Sequence, residues 1–128
     1  MSVKIMTSGH PGVGDVLAVR ETISNSTTVV TAATPTAGTR IKIISVIISY
    51  DSATATAAEV YFGTGASIGT DETKVIAEAF MLSPQLRLAT FDFPDEGRKV
   101  GAVDEVVSVR AGAAVVATLS FIIHYREE

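Results

Sequence analysis

Hydrophobic and polar positions along the chain fall into short runs, apolar or alternating, and each run is closed by turn-forming residues. That pattern predicts strands rather than helices. The runs are Val16–Ile23, Thr27–Ala32, Arg40–Tyr50, Ala58–Gly63, Lys74–Leu82, Leu86–Phe93, Glu105–Ala111 and Val115–Tyr125. Between them stand Asn25-Ser26, Pro35-Thr36-Ala37-Gly38, Asp51-Ser52-Ala53, a longer loop from Gly63 to Asp71, Ser83-Pro84, the segment Pro94–Gly101, and Ala111-Gly112-Ala113. These are residues that accept positive φ or bond their own backbone, which is what corners between strands need. In the last run Ala117, Leu119, Phe121, Ile123 and Tyr125 share one face. Thr118, Ser120, His124 and Arg126 share the other, with Ile122 the exception, so one face is core and one is wet. In Arg40–Tyr50, Ile44, Val46, Ile48 and Tyr50 lie on one face and Ile41, Ile43 and Ile47 on the opposite one. A strand apolar on both faces needs two covers. We therefore assign Ile41, Ile43 and Ile47 to a subunit interface.

Two stretches read differently. Residues Met1 to Val16, rich in Gly, Pro, Ser and Thr and without sustained period, predict an extended N-terminal arm on a domain running from Leu17 to Glu128. Thr73–Leu82 contains good helix formers in Ala77, Glu78, Ala79, Met81 and Leu82, behind a capping Asp71-Glu72-Thr73. Its alternation, Val75/Ala77/Ala79/Met81 against Lys74/Glu78, favours a strand. About eight strands with turn punctuation give an all-β fold, a jelly-roll-like β-sandwich.

Composition adds a constraint. At 128 residues the chain makes one domain, large enough for a core without a metal or disulfide, and it has no Cys. Hydrophobic residues are 47% and charged residues 19%, with mean hydropathy +0.37. No run reaches the ~18 apolar residues of a membrane span, since Ile41–Tyr50 is broken by Lys42, Ser45 and Ser49. The opening residues lack the pattern of a secretory signal, which predicts synthesis and retention in a cytoplasm. The apolar surplus then predicts a homo-oligomer. Net charge is −4 and the basic residues are scattered, so neither nucleic acid nor membrane is expected as a partner.

Candidate chemistry is sparse. The two histidines, His10 and His124, show no metal-ligand spacing, and no GxSxG elbow is present. Acids at Asp71/Glu72, Asp92, Asp95/Glu96 and Asp104/Glu105 fall mostly in or beside loops, where a hydrolase pair or Ca²⁺ site at Pro94–Gly97 is the reactive reading and solvated turns the plain one. Gly63 to Gly69 reads GxGxxxG, a loop needing positive φ rather than a nucleotide cradle. No catalytic residue, cofactor or metal ligand is assigned.

From Gly38 to Glu127 the runs GTRIKIISVIISY and VDEVVSVRAGAAVVATLSFIIHYREE, with a Gly-containing loop at Gly63–Gly69, resemble small jelly-roll proteins encoded among the structural genes of tailed bacteriophages. Within that group the resemblance is to capsid decoration (cement) proteins. It implies a non-enzymatic virion protein that forms homotrimers and binds the major capsid protein. The arm then serves as a clamp through backbone hydrogen bonds and the anchors Val3, Ile5 and Met6. A carbohydrate- or receptor-binding jelly roll is the alternative, weakened by 6% aromatic content and the absence of Trp. A small hydrolase using the loop acids is the second.

Overall fold

A strand must place its backbone donors and acceptors against a partner or water, and here all strand pairings are antiparallel. The computed structural model describes residues 3–7, 15–64, 72–82, 86–94, 99–113 and 118–128, the first segment through its backbone. The strands are β1 (Val3–Thr7), β2 (Val16–Ser24), β3 (Val30–Ala33), β4 (Ile41–Tyr50), β5 (Thr56–Phe62), β6 (Val75–Met81), β7 (Leu88–Asp92), β8 (Val107–Ala111) and β9 (Thr118–Glu127). A 3₁₀ turn, Glu72–Lys74, leads into β6.

Pairs β5–β6, β4–β7, β3–β8 and β2–β9 are nested, as if strands β2 to β9 were one long hairpin. Rolling that hairpin sets β9 beside β4 and β8 beside β5. Two sheets result, ordered β1-β2-β9-β4-β7 and β3-β8-β5-β6. This is the jelly-roll sandwich, eight strands with the arm strand β1 added at one edge. The helical alternative for Thr73–Leu82 is overturned: β5 supplies a ladder along β6, and small Ala77 and Ala79 fit the face it turns inward. The remaining predicted strands are found with shifted ends; β3, for example, begins at Val30 rather than Thr27.

The core sits between the sheets. Leu119, Phe121, Ile123 and Tyr125 of β9 point into it as the alternation predicts, against Val46 and Ile48 of β4 and Val60, Val107 and Val109 of the facing sheet. In β4 the register with β9 slips between Ile43 and Ser45, so Ile44 is an extra residue. A bulge of one residue reverses the phase of alternation. Ile41 and Ile43 therefore face the same core as Val46, Ile48 and Tyr50, and are fully buried in it. The expectation that Ile41 and Ile43 form a subunit interface is corrected by this geometry, while Ile47 remains outward and half-buried.

The free edge of β4 is shared. β7 covers Ser45–Ser49, Phe93 N–H donates to the Ile44 carbonyl, and the segment at Lys99–Gly101 covers Ile41–Ile43 through Ile43 N–H to Lys99 O and Gly101 N–H to Ile41 O. At that end of the sandwich the Gly38-Thr39-Arg40 run has a structural explanation. Gly38, at φ +83°, donates its N–H to Asp104 Oδ1 at 2.6 Å. Asp104, itself at φ +64°, returns its N–H to the Thr39 carbonyl. Arg40 and Glu128 exchange both backbone bonds, and the Thr36 N–H donates to Glu127 Oε1. The turn before β4 is thus tied to the loop before β8 and to the chain's last residues.

Two stability outcomes follow from this packing. Phe121→Ala should cost about 3–5 kcal/mol in urea unfolding, against about 1 kcal/mol for Ile122→Ala, its outward-facing neighbour. Equal costs would contradict the assignment of faces. Asp104→Ala, which loses an acceptor and puts a β-carbon residue without a local hydrogen bond in the left-handed region, should cost about 1–3 kcal/mol, with Asp104→Asn milder.

Candidate assembly surfaces

The arm is the first surface to place. Its described part is not a free extension: β1 pairs along the outer edge of β2, setting Val3 opposite Arg20, Ile5 opposite Ala18 and Met6 opposite Leu17. β1 takes up the donors and acceptors along the edge of β2 and itself becomes the outer strand of the sheet. Over Val3–Thr7 the extended arm is an edge strand of its own subunit.

Outward-facing positions of the five-stranded sheet form cross-strand rows. One row runs Arg20, Ile122, Ile47, Thr90, and the next Ala18, His124, Ser45, Asp92. Ile122, the exception in the alternation of β9, thus lies directly against Ile47, and the two half-buried side chains make an apolar spot on this face. In the adjoining row Ser45 Oγ and His124 Nδ1 share a hydrogen bond of 3.2 Å. A Ser-His-Asp triad needs the imidazole between hydroxyl and carboxylate, whereas here Ser45 lies between His124 and Asp92. The row is a cross-strand ladder and does not assemble a nucleophile.

Two of the loop acids, Asp104 and Glu105, are held by structure. Asp104 accepts from Gly38; Glu105 bonds Lys74 Nζ at 2.6 Å through Oε2 and the Ala102 N–H at 3.0 Å through Oε1. Asp92 is exposed on β7. Asp71, Asp95, Glu96, most of the Gly63–Gly69 and Pro94–Gly97 segments, and His10 lie outside the described residues. Gly63 itself has φ +96°, as the loop reading requires. Among the described residues no group of three or more His, Asp or Glu side chains could hold a metal ion. No helix there is long and apolar enough to cross a membrane.

Three polar features escaped the pattern reading. Glu21, on β2, is almost wholly buried between Val19 and Ile23 and opposite Phe121; its place in phase with Leu17, Val19 and Ile23 was the available signal. On the outer face of the four-stranded sheet, Glu59 of β5 and Arg110 of β8 are register partners joined at 3.2 Å, and Arg110 Nε also donates to the Thr27 carbonyl. Beside them burial pushes the Tyr61 phenol up from its ordinary range, with the Glu59 charge adding to the effect and Arg110 opposing it. Their sequence spacing of 51 residues hides the pair from any local reading. A shallow depression of about 350 Å³ lies at the sandwich end between Ser49, Asp51, Arg87, Leu88 and Thr118, over Tyr50, whose hydroxyl donates to the Thr54 carbonyl.

At the level of sequence, neither a protein-family profile nor a curated protein matches the chain. Solved structures do match in fold. A chain of the acid-stable capsid structure of Helicobacter pylori bacteriophage KHP30 superposes with a TM-score of 0.60 at 10% identity, over 98% of this chain and 93% of that one. A chain from the virus-like particle of the extra small virus of the prawn Macrobrachium rosenbergii aligns over 97% and 78%, at 11% identity and a TM-score of 0.41. The phage likeness is one of fold: the two chains share the jelly-roll sandwich over nearly their full described lengths.

Proposed function

We propose that the chain is a non-enzymatic structural protein of a virion: a capsid decoration protein that binds the major capsid protein as a homotrimer and holds neighbouring shell subunits together. The observation that carries the reading is the extent of the fold likeness to a capsid-structure chain, which takes in both sheets rather than one. The surfaces support it. What the five-stranded sheet presents outward is a set of cross-strand ladders with an apolar spot at Ile47 and Ile122, and the described acids Glu59, Asp104 and Glu105 are tied into turns or ion pairs. A shell is stabilised when many copies of a small rigid protein bind only its closed form, by mass action, and such a role needs no reacting group. In this reading the arm, as the outer strand of its sheet, carries the neighbour contact assigned to Val3, Ile5 and Met6.

A carbohydrate- or receptor-binding role has the depression beside Asp51 and Arg87 in its favour, where hydroxyls, a carboxylate and a guanidinium meet. Its aromatic, Tyr50, is buried and committed to the Thr54 carbonyl, so no exposed ring from the described lining offers the stacking platform that sugars use.

Sedimentation velocity should show an oligomer at micromolar concentration, with three copies as the expected mass; a monomer counts against the proposal. Empty shells of the proposed major capsid protein partner should bind it and disassemble at a higher temperature in its presence. Removing Met1–Val16 should weaken that binding while the β signal in circular dichroism persists. Shells indifferent to the chain would reject the decoration role.

A further inference from the structure

The outer face of the four-stranded sheet is built in cross-strand rows that differ from one side to the other. At the sandwich end one row runs Phe80 on β6, Ala57 on β5 and Gly112 just past β8, with the Gly112 N–H donating to the Ala57 carbonyl at 2.7 Å. The next row runs Glu78, Glu59, Arg110. In the first row a ring that is 73% exposed stands beside residues with almost no side chain. The ring is a knob that also forms one wall of an apolar recess of about 260 Å³, whose other walls are Ala55, Thr56, Ala57, Gly112 and Ala113. In the second row an exposed carboxylate on β6 lies across from a half-buried guanidinium on β8. Phe80 is anomalous for this chain. Phe62, Phe121, Tyr50, Tyr61 and Tyr125 are all buried, and solvated aromatics of this size are characteristic of binding hot spots.

We propose that this face is a two-fold contact between copies of the chain, with Phe80 of each filling the recess beside Gly112 of the other and Glu78 of each meeting Arg110 of the other. One rotation satisfies both. An axis lying along β5 keeps every row at its own height and exchanges its two sides, so β6 of one copy lands over β8 of its partner. Knob then meets recess in the first row and carboxylate meets guanidinium in the second. A self-complementary patch of this kind is the requirement for an isologous interface. Arg110 can take part because its described bonds use Nε and Nη1, while a guanidinium carries five N–H donors. A patch one sheet wide is smaller than a standard interface, so the contact is weak singly and acts by repetition. It shares with the proposed function the need for self-association, but it is a contact distinct from the threefold one.

Because the chain has no cysteine, one introduced thiol reports one position. Ala57 lies on the proposed axis, so Ala57→Cys should be joined to its own copy by a short bis-maleimide. Thr22→Cys, on the outer face of the other sheet, should not. Adding Phe80→Ser or Glu78→Lys to Ala57→Cys should cut the linked fraction about tenfold or more, with unchanged circular dichroism, as expected for loss of a central anchor. Oligomers whose Ala57→Cys form links no better than Thr22→Cys, or links equally well with Phe80→Ser, overturn this contact and leave the assembly reading standing. Linkage of Ala57→Cys to a shell protein instead of itself assigns the face to another partner and also overturns the proposal. A chain that is monomeric by sedimentation and unlinked at both positions overturns both.

Discussion

The extra residue at Ile44 is the constraint on which the sandwich depends. Alternation with period two can serve only one core, yet β4 carries isoleucines in both phases. The bulge changes phase once, and Ile41, Ile43, Val46, Ile48 and Tyr50 become one buried face. β4 is also the strand to which β9 is paired through nine residues and on whose other side β7 and the Lys99–Gly101 segment divide the edge. A flat, unbulged β4 would turn two large aliphatic side chains out of the core and put the loop before β8 out of register with the turn at Gly38.

That same residue explains where the sequence is legible and where it is not. The faces of β9 can be read directly because Leu119, Phe121, Ile123 and Tyr125 hold one phase without interruption. The phase of β4 cannot, because a bulge is chosen by what the partner strand and the core can accommodate, and neither is local. Gly38 and Asp104 illustrate the limit in another form: each is an unremarkable turn residue alone, and their bond spans 66 positions. β6 was ambiguous because alanine suits a helix by propensity and a crowded sheet face by size; the ladder to β5 decides it. The surfaces proposed for assembly were legible only in part. Ile47 faces outward, Ile41 and Ile43 turn into the core instead, and Phe80 lies inside the predicted strand Lys74–Leu82 with no indication in the pattern of its exposure.

The high hydropathy has a corresponding explanation. Nearly all described aliphatic and aromatic side chains of β4, β5, β8 and β9 are in the core, and the large exposed ones are few: Phe80, Leu86, Leu88, Val100 and Val103. The apolar surplus is therefore less a broad greasy flank than the product of a well-filled sandwich whose five-stranded sheet turns Thr22, Ser24, Ser45, Ser49, Thr90, Thr118 and Ser120 outward with few charges among them. Such faces keep strand propensity while carrying little charge. They can approach another surface closely without a large desolvation cost, which charged faces cannot do.

An assembling β protein must associate through chosen surfaces and not through its strand edges, since an open edge invites indefinite pairing. Of the four edge strands, β1 and β7 have five residues each and β3 has four, which limits the open edge each presents. The seven-residue β6 is the longest described strand left at an edge, and Glu78 sits at its centre. A second β6 laid antiparallel in register about that residue would bring two like charges together, which disfavours edge pairing. Stacked face to face about β5, the same carboxylate meets a guanidinium instead. One charge thus discourages the contact that would propagate and favours the contact that closes.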